Sequence, residues 1–157
     1  MAEKSVTLNP GEGKTVSFEV VPHEAKDYQV SVNGLTGSFK AISAPPSGEI
    51  LEVTWKRWKG VDEWHPFSDP MPSYTDIIHR FKIGNTGKAI TSFKMGYYRT
   101  NYGAGWRYSK PIDIKPGEEG YIEWALGSGR AGTYTTTWYL FGDGIEVDSI
   151  TVTTIVV

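Results

Sequence analysis

The sequence predicts an all-β chain: an immunoglobulin-like β-sandwich preceded by a partial, three-stranded immunoglobulin-like unit. Three observations predict it. Apolar residues recur at every second position, as in Val16, Phe18 and Val20 or Ile122, Trp124 and Leu126. That is the period of a half-buried strand. Glycine and proline turns punctuate these runs, and no stretch longer than a turn reads as helix. An internal repeat sets the scale. Leu8–Tyr28 (LNPGEGKTVSFEVVPHEAKDY) aligns without a gap on Ile114–Tyr134 (IKPGEEGYIEWALGSGRAGTY), so that Pro10, Gly11, Glu12, Ala25 and Tyr28 meet Pro116, Gly117, Glu118, Ala131 and Tyr134. The copies stand 106 positions apart, close to the ~100 residues of one sandwich domain. The chain therefore reads as the last three strands of one unit over 1–42, a linker over 43–48 and a complete sandwich over 49–157.

The elements follow in order. Each Pro-Gly-Glu is a turn, with proline presetting φ at one corner and glycine taking positive φ at the next. The strand after it is Val16–Val20 in the first copy and Ile122–Leu126 in the second. A second strand starts at Tyr28 or Tyr134 and ends at Asn33-Gly34 or Gly142-Asp143-Gly144, both hairpin signals. Closing strands run over Ser38–Ile42 and Ile145–Val157. In the latter the apolar phase slips after Val147, which marks a bulge at Asp148-Ser149. Buried positions are expected at Phe18, Val20, Tyr28, Val30, Trp124, Leu126, Tyr134 and Trp138, and both copies are expected to superpose.

Between the copies, Pro45 and Pro46 deny donors to any sheet and make the linker stiff. Strands follow at Leu51–Trp55, Asp76–Ile83, Ala89–Tyr98 (interrupted or bent at Gly96) and Trp106–Tyr108. Lys56–Tyr74 is a long loop. This gives about seven strands in the complete unit. Three lone strands cannot bury their apolar face, so a cover is expected: the rest of the chain, the Trp55–Phe67 loop, or a second copy in a homodimer.

Composition narrows the function classes. Of 157 residues, 39% are hydrophobic and 22% charged, which suits a folded core. A net charge of −2 without a basic block gives nucleic acid no footprint. No apolar run reaches the ~20 residues of a membrane span. The absence of cysteine excludes disulfides and thiolate metal sites. No nucleophile elbow, phosphate loop or His-Glu-x-x-His is present, and Glu118 and Glu119, adjacent in a strand, point to opposite faces. The expectation is a non-catalytic protein with no cofactor. His65 beside Asp62, Glu63 and Asp69 lacks the ordered oxygen set of a cation site, so no metal is expected there.

Aromatic residues carry the rest: six Trp, nine Tyr and six Phe. Trp55, Trp58, Trp64 and Phe67 fall on one segment, and Tyr97, Tyr98, Tyr102, Trp106 and Tyr108 form a second group. Trp55, Trp58, Trp64, Phe67, Tyr98, Tyr102 and Trp106 are the candidate ligand or partner surface. Each group reads two ways: as rings open to a sugar or a protein, or as rings that cap and pack the sandwich. Tyr28 and Tyr134 read as tyrosine-corner residues.

From Ile78 onward the pattern resembles bacterial and archaeal cell-surface immunoglobulin-like domains of the cell-adhesion-related (CARDB-like) type. The resemblance rests on Lys82-Ile-Gly-Asn-Thr-Gly87, Gly96-Tyr-Tyr98, Ile114-Lys-Pro-Gly-Glu118, Trp124, Ala131-Gly-Thr-Tyr134 and Phe141-Gly-Asp-Gly144. Leu8–Glu12 and Asp27-Tyr28 match its later part. It implies tandem domains of an exported, longer protein at the cell surface. These would act as structural or adhesive modules with a protein or glycan partner. The alternative function is carbohydrate binding by the loop tryptophans.

Overall fold

The computed structural model describes residues 5–17, 25–32, 34–58, 63–100 and 103–157, and divides the chain into two compact units, Met1–Ser43 and Ala44–Val157. Among the described residues every regular element is a strand, and no helix is long and apolar enough to cross a membrane.

In the first unit, strands β1 (Asp27–Val32) and β2 (Leu35–Lys40) pair antiparallel from Asp27↔Lys40 to Val32↔Leu35. The Pro-Gly-Glu turn is present in both copies. Gly11 and Gly117 sit at φ 83° and 74°, and the Glu12 and Glu118 amides donate to Asn9 and Lys115 carbonyls at 3.0 Å. The equivalence then breaks down. Val16 belongs to no strand, whereas its counterpart Ile122 is core; Phe18 and Val20 lie outside the described residues. Val30 is exposed, not buried. Among the described residues this unit therefore has two strands, a hairpin with Val30 exposed, and most of the expected third strand, Val16–Val20, lies outside the described residues.

The second unit is an immunoglobulin-like sandwich of nine strands among the described residues. One sheet has the order β4-β3-β5-β9, with β3 Gly48–Arg57, β4 His65–Pro66, β5 Asp76–Asn85 and β9 Glu119–Gly127. The other has the order β11-β10-β6-β7, with β6 Thr91–Arg99, β7 Gly105–Tyr108, β10 Gly132–Gly142 and β11 Ile145–Val156. A further strand, β8 (Ile112–Ile114), pairs with the start of β6. The inner trios β3-β5-β9 and β11-β10-β6 match strands A-B-E and G-F-C of the immunoglobulin layout. Tyr134, near the start of the F-equivalent strand β10, donates its hydroxyl to the Arg130 carbonyl at 2.8 Å. That is the expected tyrosine corner. The tether holds the ring at the sandwich's rim, so Tyr134 is exposed and not core.

The core lies between the sheets. Phe81, Ile83 and Ile122 from one layer meet Phe93, Met95, Trp138 and Leu140 from the other. Trp124 and Leu126 pack on its margin, half-buried. A second cluster joins Trp55, Phe67, Met71, Ile77 and Val156. The edge of β11 is closed by Met71–Ser73, whose amides donate to Ile155 at 2.8 Å and Val157 at 2.7 Å. The phase slip in β11 is real but falls one residue earlier than expected: Leu140↔Asp148 is followed by Phe141↔Glu146, which leaves Val147 as the bulge. Asp148 then accepts the Ile50 amide of β3 at 2.7 Å, where β3 itself has a register shift.

Asn85 joins the two sequence motifs that close this unit. Its side chain is buried and fully used: Nδ2 donates to the Ala89 carbonyl at 2.9 Å and to the Ile114 carbonyl at 2.7 Å, while Oδ1 accepts from Gly87 at 2.9 Å. Its backbone bonds Glu118 and Gly117. Replacing it by Ala takes the side-chain partner from the buried Ile114 carbonyl and the part-buried Gly87 amide, while the Ala89 carbonyl keeps Thr91 Oγ1. We expect Asn85→Ala to cost roughly 3 kcal/mol, read as a fall in denaturant midpoint at constant slope. A loss below ~1 kcal/mol would show that solvent substitutes for the amide.

Candidate functional site

The loop rings do not assemble into one surface. Trp55 ends up in β3, buried, with Nε1 donating to the Pro66 carbonyl at 3.1 Å and its ring stacked 4.7 Å from His65. Phe67 is buried in the same cluster. Both are removed from the candidate surface, because the pairing of β3 with β4 turns their segment onto the sandwich. Trp64 is half-buried beneath the Arg80 guanidinium, 3.5 Å above the ring, and Lys56 approaches at 4.7 Å. Arg80 in turn donates to Glu123 at 2.9 Å. Trp58 is exposed. His65 Nδ1 lies 3.3 Å from Asp69 Oδ2; among the described residues no trio of His, Cys, Asp or Glu is placed to hold a metal.

The second group does assemble. On β6, Phe93, Met95 and Tyr97 point inward, so Lys94, Gly96 and Tyr98 point outward. The pairs Tyr98↔Trp106, Gly96↔Tyr108, Tyr139↔Gly96 and Phe141↔Lys94 put five rings on the outer face. Tyr98 is 51% exposed and Trp106 40% exposed. Trp106 is gripped edge-on by Tyr98, Tyr139 and Phe141, at interplanar angles of 79°, 72° and 86°. It lies parallel to Tyr108 at 5.8 Å. The ammonium of Lys94 sits 4.3 Å from the centre of the Tyr108 ring. Gly96 makes this possible without interrupting the strand. A Cβ there would stand 2.9 Å from the Tyr108 ring and 3.0 Å from the Phe141 ring. Tyr98 and Trp106 were legible as candidates; Tyr139 and Phe141 were not, because only the strand register brings them beside Gly96. Tyr102 lies outside the described residues.

A second feature lies where the sheet divides. β10 pairs with β6 only over Tyr139–Gly142, against Gly96–Phe93. Beyond Gly96, β6 pairs with β7 alone, and before Tyr139, β10 pairs with β11 alone. The cleft in this fork has a volume of about 760 Å³ and is lined by Tyr97, Tyr98, Thr136, Trp138, Leu126 and His79, among others. The rings of Tyr97 and Trp138 meet in its crotch, 5.1 Å apart. Behind the cleft wall, two polar atoms sealed from solvent have no hydrogen-bond partner among the described residues: His79 Nδ1 and Trp138 Nε1. Burial holds the imidazole well below its ordinary value, at about 4, while a hydrogen bond to the Trp124 backbone acts to raise it. A bond that favours the charged ring is one the ring donates. The neutral imidazole therefore spends its one N–H on Trp124 and keeps Nδ1 as an acceptor.

No family model matches the sequence, and no curated protein is similar to it. Among solved structures, the chain is similar to the crystal structure of the C-terminal domain of wzt, with a TM-score of 0.56 and 11% identity, over 73% of this chain and 75% of that one. A likeness at that identity concerns the fold, and it supports the β-sandwich.

The His79 shift has a sign that can be checked. The unfolded chain takes up this proton near pH 6.5 and the folded one near pH 4. Stability is fully present above that window and lost as pH falls through it, by roughly 3 kcal/mol in total. His79→Leu removes this term, so urea melts of wild type and variant should diverge by about that amount from the top of the window to the bottom. Parallel pH profiles would show that His79 is solvated.

Proposed function

We propose that this chain is a non-catalytic adhesive module of an exported surface protein, of the CARDB-like type that its motifs resemble. In this reading the outer aromatic face of β6, β7 and β10 is its contact with a protein partner. One observation carries it: Tyr98, Trp106, Tyr108, Tyr139 and Phe141 form a rigid, partly exposed cluster on an ordinary sheet face. Tyr and Trp anchors that are already immobilised lose little entropy on binding, which is what protein contacts select. Stacking on a sugar asks for open ring faces in a common plane. Here three of the four rings around Trp106 stand nearly perpendicular to it, the parallel Tyr108 carries the Lys94 ammonium against its ring, and Trp64 lies under Arg80. This favours a protein over a glycan on these rings.

The test is adhesion of beads coated with the full chain to cells that make the protein. Tyr98→Ala combined with Trp106→Ala should reduce adhesion at least about tenfold, the effect of losing ~1.4 kcal/mol at a hot spot. The double truncation also removes the ring contacts of Trp106 with Tyr139, Phe141 and Tyr108, so the thermal transition should fall, and adhesion is compared at a temperature below both transitions. Undiminished adhesion by the folded variant contradicts the reading. Capture of an arrayed glycan that depends on Trp106 would favour the carbohydrate alternative instead.

A further inference from the structure

The fork between β6 and β10 holds two unpaired strand edges that face each other. We propose that it receives an extended peptide segment of a partner protein as an inserted strand, bonded to β10 on one side and to β6 on the other. The argument starts from the direction of the backbone groups. In an antiparallel sheet, alternate residues turn both N–H and C=O to the same neighbour. The Ile155 carbonyl accepts the Met71 amide and the Val157 amide donates to the Met71 carbonyl, so the odd residues at this end of β11 point away from β10. The even ones, Ile150, Val152 and Thr154, bond their partners Trp138, Thr136 and Tyr134. Thr133, Thr135 and Thr137 therefore turn their amides and carbonyls to the fork. The bond from the Asp143 amide to the Ser92 carbonyl, on the β6 side of β10, gives the same parity. On β6, the Ser109 amide donates to Met95, so the odd residues serve the β7 side and the Tyr98 backbone faces the fork. Among the described residues no strand pairs with these groups.

The class of ligand follows from this array. A donor and an acceptor recur together at every second residue of β10, about 6.7 Å apart along the strand. That is the repeat of an extended peptide backbone. The edge of β11 already has a partner of this kind in Met71–Ser73, and the outer edge of β9 offers the groups of one strand only. A segment in the fork is paired on both sides, as a central strand is. Strand addition draws affinity from main-chain bonds and specificity from alternate side chains, and the walls of the fork set that alternation. On the core side stand Tyr97, Leu126 and Thr136, all half-buried, which suit apolar side chains. On the outer side stand the Tyr98 ring, 51% exposed, and the hydroxyls of Thr135 and Thr137, which are bonded to Thr153 and Thr151. Polar side chains suit that side. The ligand is thus a segment with apolar residues at every second position and polar ones between.

This site rests on backbone edges and not on the aromatic-face reading, and the experiment separates them. Nitrogen-15 spectra of the full chain are recorded with the synthetic peptide Lys-Val-Thr-Val-Thr-Val-Lys, capped at both ends. The expected result is saturable shifts of the Thr133, Thr135 and Thr137 amides, at a Kd of about 1 mM or tighter. Those three amides should exchange more slowly in the saturated complex, with Tyr134 and Thr136 unchanged. Two further peptides carry N-methyl groups on the three valines or on the two threonines. Each should bind at least about tenfold more weakly, because the two sets of amides face opposite edges and both edges are used. Thr135→Pro removes one donor from the fork and leaves the bonds to β11, a placement that a strand edge tolerates. It should weaken binding about tenfold, and the methylated peptides keep the test open if this variant does not fold. Trp106→Ala should bind as wild type even where it abolishes adhesion. The proposal is overturned by the absence of saturable shifts, by shifts at Tyr121 and Glu123 on the β9 edge instead, or by a methylated peptide that binds as well as its parent. It is also overturned if the three amides become protected without peptide as the protein concentration rises, which would put a second copy of the chain in the fork.

Discussion

The second unit depends on where the ring of Trp138 sits. It is the residue of β10 immediately before pairing with β6 begins, and rings from three other strands close on it: His79 and Phe81 from β5, Tyr97 from β6 and Trp124 from β9. The indole therefore belongs to the core that binds the two sheets together. It also stands at the root of the cleft where one sheet divides. Had the pairing run on, Trp138 and Tyr97 would stand opposite one another as neighbours across the strands, at ~4.5–5.5 Å between their Cβ atoms. Two rings of that size fill the crotch instead, and the β6–β7 ribbon leaves the sheet at that point.

The ribbon has other attachments. Gly96 leaves room for Tyr108 and Phe141, so the outer face packs tightly against the backbone of β6. Ser109 bonds β6 both ways, its amide donating to the Met95 carbonyl at 2.9 Å and its hydroxyl accepting the Met95 amide at 2.9 Å. β8 then resumes the pairing beyond Pro111. At the far end, Asn85 ties this return to the β5 corner. The side chains of the proposed contact face are thus held by the same contacts that hold the sandwich.

Much of this was legible in the sequence, and the reasons for the rest are physical. Period-two alternation located β5, β6, β9 and β10 because each has one face on the core and one in water. The Asp143-Gly144 turn was legible because φ is positive at both residues, 48° and 87°. The equivalence of the two copies was not safe to infer: Pro-Gly-Glu records a turn, and the same turn precedes β9 in one copy and no strand at Val16 in the other. β8 was hidden because Ile112-Asp113-Ile114, although it alternates, is too short and too close to Pro111 and Pro116 to stand out as a strand. The burial of Trp55 and Phe67 was hidden as well. Tryptophans among charges look like a surface, and only the pairing Trp55↔His65 shows that the segment folds back on itself. The fork was beyond reach, since register is a relation between strands and not a property of one.

The division of the sheet is the claim on which the cleft rests, and it can be read directly from amide hydrogen exchange along β10. Over Leu140–Gly142 the strand has neighbours on both sides, so successive amides should be protected. Over Thr133–Thr137 it has β11 alone, so every second amide should exchange quickly while its neighbours, directed at β11, stay protected. That alternation, beginning just before Tyr139, is the predicted result. Uniform protection from Thr133 to Gly142 would mean that the sheet is closed, and would contradict the account.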